Sequence, residues 1–221
     1  MKLQCLTRYD DMGASSRVRM GQYLAALARL APDWSIQRQS LLDAAYLQRK
    51  YAGRDTVAAT LRCYARRAQT LARDAPPDLW WIEKELWPYA PAWLERRLLA
   101  ARPYVLDFDD AIFHNYDLHR FALVRGLLGG KIDLLMAKAA LVTAGNAYLA
   151  DRARAAGAPW VEIVPTAVDL DHYPMPEHEN WTTSQPVDIV WIGSPATAAY
   201  LDALSGPLQE LAARRSIRLV T

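Results

Sequence analysis

Cysteine is scarce in this 221-residue chain, which contains only Cys5 and Cys63. Two cysteines cannot build the disulfide framework of a small secreted domain, and they cannot supply a cysteine-rich structural zinc site. This usage is typical of a reducing compartment, so the sequence predicts a cytoplasmic protein.

Long apolar runs are absent as well. The longest stretch without a charged residue runs from Ile189 to Leu201, and Gly193, Ser194 and Pro195 interrupt it. It is too short to span a bilayer. The first residues, MKLQCLTRYDD, contain no apolar core of the kind that a signal peptide needs. The sequence therefore predicts neither a transmembrane helix nor a signal peptide.

The chain also has little charge bias, because 26 Lys and Arg residues stand against 24 Asp and Glu residues. A net charge of +2 argues against dedicated nucleic-acid binding. Hydrophobic residues make up 52% of the chain and charged residues 23%, a balance that excludes intrinsic disorder and allows a sizeable core.

Positive charge is concentrated in one segment, from Leu47 to Arg73. It holds seven bases and one acid, Asp55; the bases are Arg49, Lys50, Arg54, Arg62, Arg66, Arg67 and Arg73. Helical spacing predicts a helix over 54–74 whose apolar stripe is Val57, Leu61, Tyr64, Ala68 and Leu71. Arg62, Arg66 and Arg67 would then lie off the stripe, where they could contact anionic lipid at the inner face of the membrane or simply face water.

Short apolar segments alternate with helical patterns along the chain, which predicts an α/β fold with a parallel sheet. The predicted strands are 1–9, 34–40, 78–82, 104–108, 140–143 and 161–164. Residues 174–186 are polar and proline-containing, so we interpret them as a linker between a domain at 1–173 and the start of a second one at 187–221. The second pattern consists of a strand at 187–192, a helix at 196–213 and a strand at 217–220. Since two strands cannot complete a domain, we expect the chain to be a fragment.

A loop containing Gly13 follows the first predicted strand and leads into a helix. Backbone N–H groups at a helix start favour an anion, and Gly13 permits close approach of a phosphate or a sugar. The alternative is that Ser15 or Ser16 simply caps the helix. The loop matches neither the dinucleotide fingerprint nor the Walker A motif.

Three carboxylates, Asp107, Asp109 and Asp110, lie at the end of a buried strand, the edge at which open α/β sheets bind ligands. One interpretation is a divalent metal site formed by Asp107 and Asp109. Another is that Asp109 or Asp110 binds sugar hydroxyls or orients loops, and a third is a surface turn.

Other polar residues follow the same edge of the predicted sheet. Glu83 and Lys84 end the preceding strand, and Lys84 could pair with an acidic neighbour. His114 could act as an acid, a base or a ligand, or could be solvated.

Ordered blocks of the sequence resemble the glycosyltransferase family 4 enzymes, which have the GT-B fold. The blocks are Gly13-Ala-Ser-Ser, Glu83-Lys-Glu-Leu, Val105-Leu-Asp-Phe-Asp-Asp-Ala-Ile-Phe, Val142-Thr-Ala-Gly-Asn-Ala-Tyr-Leu-Ala, Val164-Pro-Thr-Ala-Val-Asp and Ile192-Gly-Ser-Pro-Ala-Thr. Together they extend over residues 1–205.

The resemblance implies two Rossmann-like domains that face a cleft, with helices on both faces of each parallel sheet. It implies that the first domain binds a glycan or lipid-linked acceptor and the second binds a nucleotide-sugar donor. The sugar would be transferred with retention of configuration and without a metal or other cofactor, in polysaccharide or cell-envelope synthesis.

The resemblance also implies roles for individual residues. Asp109 and Asp110, at the strand end where many members carry a histidine, are the candidate catalytic residues. Gly193 and Ser194 would approach the donor diphosphate. The candidate substrate-binding residues are Gly13, Ala14, Ser15, Ser16, Arg17, Glu83, Lys84, His114, Asn146, Thr166 and Asp169.

The sequence departs from the family pattern in two places. Thr166-Ala167 replaces the Asn-Gly of the family, and the Glu-x7-Glu element is missing, since Glu210 is the only glutamate after Asp188. We therefore expect that these 221 residues alone do not catalyse sugar transfer. The competing hypotheses are a GT-A-type transferase that uses manganese at Asp107 and Asp109, and a sugar- or nucleotide-binding domain without chemistry.

Overall fold

A computed structural model describes residues 1–72, 76–170, 186–193 and 198–220 of the chain. By its internal contacts the chain divides into two compact units, Met1–Tyr173 and Pro174–Thr221. The predicted linker at 174–186 lies outside the described residues, except for Pro186.

The first unit contains one six-stranded sheet in which every neighbouring pair is parallel. The strands are β1 (Lys2–Tyr9), β2 (Ser35–Leu42), β3 (Leu79–Glu83), β4 (Tyr104–Phe108), β5 (Leu141–Ala144) and β6 (Val161–Ile163). They lie in the order β2-β1-β3-β4-β5-β6. The prediction of an α/β, Rossmann-like parallel sheet flanked by helices is confirmed.

Helices connect all successive strands of this sheet. They are α1 (Ala14–Ser16), α2 (Gln22–Leu30), α3 (Ala44–Tyr51), α4 (Val57–Leu71), α5 (Ala92–Leu99), α6 (His114–Asp117), α7 (Ala122–Leu128), α8 (Lys131–Met136) and α9 (Ala147–Ala155). A π-helical turn, Arg17–Gly21, joins α1 to α2. The sequence pattern predicted neither this turn nor α3.

The two faces of the sheet are packed differently. On one face Leu6, Ile82, Leu106 and Val142 are buried in the main hydrophobic core, together with residues from α4, α5, α8 and α9. On the other face α2 buries none of its side chains, and a cavity of about 390 Å³ separates it from the sheet. The main core therefore lies on one face of the sheet, and the face that α2 covers is packed less completely.

The basic helix α4 packs differently from the prediction. Its buried residues are Ala59, Cys63, Arg67 and Thr70, whereas Val57 and Leu61 of the predicted stripe are 62% and 64% exposed.

Arg67 is only 1% exposed, and its Nη2 donates hydrogen bonds to the carbonyl oxygens of Thr7 and Gln39. Burial, with the nearby charge of Arg66, lowers the pKa of Arg67 to about 9. The predicted contact between Arg67 and a membrane is therefore wrong, because its buried guanidinium donates hydrogen bonds to the backbone of β1 and β2.

The second unit contains a parallel pair of strands, β7 (Val187–Val190) and β8 (Ile217–Val220). Two helices, α10 (Ala199–Asp202) and α11 (Ser205–Arg214), stand where the sequence predicted one. Arg218 holds Asp188 across the pair through hydrogen bonds of 2.7 and 2.6 Å. In the part of the chain that the structure describes, no helix is both long and apolar enough to cross a membrane.

Candidate functional site

The strand order reverses direction between β1 and β3, because the chain moves from β1 outward to β2 and then returns to the other side of β1. In open α/β sheets such a reversal leaves a crevice at the carboxyl ends of the strands, and ligands bind there. The segments that follow β1, β3 and β4 meet at this crevice. They carry most of the residues that the sequence analysis selected.

Two carboxylates lie side by side beneath the crevice, since Glu83 of β3 and Asp107 of β4 are register partners. Both residues are buried, at 1% and 2% exposure. Adjacent buried carboxylates repel each other and must be neutralised or hydrogen-bonded.

Arg19 of the π-helical turn neutralises Asp107. Its Nε lies 3.0 Å from Asp107 Oδ2 and its Nη2 lies 2.6 Å from Oδ1, while Thr143 donates a further hydrogen bond of 2.6 Å to Oδ1. Both oxygens of Asp107 are therefore occupied by protein donors. This geometry does not favour the metal site at Asp107 and Asp109, because Asp107 is turned toward Arg19, and that site stays a hypothesis.

Hydroxyl and amide donors hold Glu83. Ser16 Oγ donates to Glu83 Oε2 at 2.6 Å, Arg8 N donates to the same oxygen at 2.8 Å, and Ser15 Oγ lies 3.2 Å from Oε1. No side-chain hydrogen bond caps the start of α1 or of the π-helical turn. The capping hypothesis for Ser15 and Ser16 is therefore wrong, and both hydroxyls belong to the crevice.

Lys84 occupies the centre of the crevice in an unusual backbone conformation, with φ at +69°. The left-handed region is costly for a residue with a Cβ, and such residues concentrate at functional sites. Lys84 Nζ lies 2.9 Å from Asp109 Oδ1, 3.1 Å from Asp110 Oδ2 and 3.3 Å from Ser15 Oγ. The strained backbone thus places one ammonium group between two carboxylates.

Asp109 is held more tightly than Asp110. Burial alone would raise the pKa of Asp109, but the charge and hydrogen bond of Lys84, with a hydrogen bond from Ser15, outweigh it and lower the pKa below its usual value. The side chain of Asp110 is 70% exposed. We call Ser15, Glu83, Lys84, Asp109 and Asp110 the open cluster. It combines three carboxylates with one ammonium, so it favours hydroxyl donors over phosphate.

A second group of charges lies just beyond the open cluster and is closed to solvent. Lys131 Nζ lies 2.6 Å from Glu85 and 2.8 Å from Glu95, and Tyr116 donates to Glu85 at 2.7 Å. We call Glu85, Glu95, Tyr116 and Lys131 the sealed cluster. It fixes the backbone after Lys84, because Glu95 accepts hydrogen bonds from the amides of residues 86 and 87.

His114 belongs to a further polar group in the segment after β4. Asp117 Oδ1 lies 2.8 Å from His114 Nδ1, and the Tyr148 hydroxyl lies 2.6 Å from His114 Nε2. Arg152 holds Asp117 from the other side at 3.1 Å. A carboxylate that orients an imidazole toward a hydroxyl is an arrangement suited to proton transfer.

The remaining predicted residues of the first unit are spread along the same edge. Gly13 is required sterically, since a Cβ there would lie 2.3 Å from Tyr9 Cβ. Arg17 and Asp169 line a separate cavity of about 310 Å³. Ala14 and Thr166 are exposed.

Asn146 has a structural role, because its Oδ1 accepts the amide hydrogen of Leu149 and caps α9. In the second unit Gly193 approaches the ring of Trp191 too closely for a side chain. Ser194 lies outside the described residues.

Sequence reasoning missed Arg19, Tyr116, Lys131 and Tyr148. Arg19 alone left a signal, because it follows Ser16 by one helical turn and so shares its face. The described residues contain no group of three or more His, Cys, Asp or Glu side chains placed to hold a metal ion.

Comparison with known proteins adds no family to this geometry. No protein-family profile matches the chain, and no curated protein is significantly similar to it in sequence.

Proposed function

We propose that the chain is the acceptor-binding part of a retaining glycosyltransferase of the GT-B type, acting in polysaccharide or cell-envelope glycan synthesis. The observation that carries the proposal is the open cluster, which lies at the reversal of strand order. The ordered sequence blocks support it, because five of the six lie in the first unit and these five end or follow β1, β3, β4, β5 and β6.

The charge of the open cluster favours the acceptor as its ligand. Carboxylates accept hydrogen bonds from sugar hydroxyls, whereas they repel the diphosphate of a donor. We therefore assign Asp110, with its exposed side chain, to direct contact with an acceptor hydroxyl. Lys84 holds the carboxylate of Asp110 in place, and Asp109 in turn holds Lys84. The donor would be a nucleoside diphosphate sugar.

A transfer assay on the complete gene product tests the proposal. Labelled UDP-, GDP- and dTDP-sugars are offered with cell-envelope glycolipids as acceptors, and the anomeric configuration of the product is determined by NMR. A hydrogen bond to a charged group contributes about 1.5–3 kcal/mol, so Asp110→Asn is expected to raise the acceptor KM by about tenfold or more. Asp33→Asn, on an exposed residue, is the matched control.

Three results would contradict the proposal. A product with inverted anomeric configuration would exclude the retaining mechanism. A strict manganese requirement would favour a GT-A-type enzyme. Sugar binding without transfer by the complete gene product would favour a binding domain without chemistry.

We also propose a cytoplasmic location, with peripheral contact at the inner face of the membrane as its finer form. Of the three arginines considered for that contact, Arg62 is exposed, Arg66 pairs with Asp43 at 3.2 Å and Arg67 is buried. The contact through α4 therefore depends mainly on Arg62.

A further inference from the structure

A cationic pocket lies at the edge of the sheet opposite the candidate site. It occupies about 550 Å³ between the end of α5 and the segments that lead into β4 and β5. Arg96, Arg97, Arg102 and Lys138 line it, together with Trp93, whose side chain is 67% exposed. We call these four bases the cationic pocket residues.

Among the described residues, no acid compensates the cationic pocket residues. No Asp or Glu from this part of the chain lines the pocket. Within the described ranges, none of the four side chains takes part in an ion pair or a side-chain hydrogen bond. The buried and half-buried bases of the first unit differ in this respect, since Arg8, Arg19, Lys84, Lys131 and Arg152 all pair with carboxylates.

Helix dipoles account for only part of this positive charge. The carboxyl ends of α5 and α8 carry Arg96, Arg97 and Lys138 in or just after their last turns. Each helix end contributes about half a negative charge, so two ends offset about one of four positive charges. An excess of about three positive charges therefore remains at one concave surface.

We propose that this pocket binds a multiply charged phosphate group, either of a free phosphorylated molecule or of a phosphomonoester lipid headgroup. Three guanidinium groups and one ammonium match the oxygens of such a group, because arginine contacts phosphate through paired N–H donors. Trp93 gives the pocket an apolar wall for the organic part of the ligand. The site is independent of the open cluster, which lies at the opposite edge of the sheet.

The test compares two triple variants of the 221-residue chain that lose the same charge. Arg96→Gln/Arg97→Gln/Arg102→Gln removes three cationic pocket residues. The control, Arg29→Gln/Arg54→Gln/Arg120→Gln, removes three exposed arginines elsewhere in the first unit. Inorganic pyrophosphate binding is measured by calorimetry, and flotation with phosphatidylcholine vesicles that contain phosphatidic acid measures lipid binding. Thermal melts establish that both variants are folded.

We expect the pocket variant to bind at least tenfold more weakly than the unmodified chain, and the control to bind within twofold of it. If the pocket variant binds pyrophosphate more weakly, the result supports a free phosphorylated ligand. If it binds only the vesicles more weakly, the result supports the lipid headgroup. Equal weakening in both variants would show that binding follows net charge, and so would overturn the proposal. Failure of the unmodified chain to bind either probe, or full binding by the pocket variant, would also overturn it. Lys138→Gln alone, which leaves the arginines intact, should show a smaller loss in the same experiment.

Discussion

Glu83, Lys84 and Glu85 are consecutive in sequence, yet they belong to two ion clusters with opposite access to solvent. In the sealed cluster the side chains of Lys131, Glu85 and Glu95 are 0%, 1% and 1% exposed. In the open cluster Asp109 is 16% exposed and Asp110 is 70% exposed. The left-handed backbone of Lys84 separates the two clusters, because it interrupts the regular alternation of side chains at the end of β3.

This difference in solvent access gives the two clusters different roles: the sealed cluster stabilises the fold, and the open cluster can contact a ligand. In the sealed cluster the carboxylates and the ammonium bind one another and the backbone of residues 86 and 87, so no capacity is left for a ligand. In the open cluster Asp110 keeps most of its surface in water. Similar charged groups therefore stabilise the fold in the sealed cluster and remain accessible to solvent in the open cluster.

The strongest test of this difference is Lys131→Met, which leaves Glu95 buried without its cation and Glu85 with Arg8 as its remaining cation. Breaking a buried ion pair by removing one partner costs about 3–5 kcal/mol, and we expect a loss of that size in the free energy of unfolding in urea. Lys138→Met, on an exposed lysine of the same region, should change it by less than about 0.5 kcal/mol. Adding Glu95→Gln to Lys131→Met should recover part of the loss. A cost below about 1 kcal/mol would show that the sealed cluster does not support the fold.

A smaller effect, dependent on pH, is expected for Asp109→Asn. The folded-state pKa of Asp109 is lowered, so its carboxylate stabilises the fold above the unfolded value of about 3.9, and this stability is lost as the pH falls through the lower folded value. We expect the variant to be about 1.5 kcal/mol less stable at pH 7, with the difference shrinking at the acid end. Urea unfolding at several pH values measures it. A difference that persisted at the lowest pH would point to packing instead of charge.

Most of the fold could be predicted from local sequence. Apolar segments bounded by turns predicted all six strands of the first unit, and the bounds of β4 and β8 were correct. The open cluster could be predicted in outline for the same reason, because its acids directly follow strands and parallel strands end at one edge. The patterns that predict these strands and the acids that follow them each lie within a few neighbouring residues.

The partners across the molecule could not be predicted. Arg19 reaches Asp107 over 88 residues and Lys131 reaches Glu85 over 46, and neither pairing leaves a local pattern. The face of α4 was predicted only in part: Tyr64 and Leu71 pack against the core, but Val57 and Leu61 are exposed, because apolar periodicity assumes an apolar buried face. Here Arg67 is buried to serve backbone carbonyls at the ends of β1 and β2, and no rule of hydrophobic spacing predicts such a contact.

The smallest expected effect concerns the backbone that separates the two clusters. Lys84→Ala and Lys84→Gly both remove the ammonium group. They differ only in the Cβ of alanine, which restricts the backbone conformation. A Cβ in the left-handed region costs about 1–2 kcal/mol, and the greater freedom of glycine in the unfolded chain offsets part of that. We expect the glycine variant to be about 1 kcal/mol more stable than the alanine variant, measured by urea unfolding.

Arg62 provides the control for this pair, since it is exposed inside α4 and its φ is not positive. There the order should reverse, with Arg62→Ala more stable than Arg62→Gly by about 0.5–1 kcal/mol. If alanine were also the better residue at position 84, the left-handed conformation would not be a source of strain. The ammonium of Lys84 would then hold its two aspartates without a cost in the backbone, and the separation of the two clusters would depend on side-chain contacts alone.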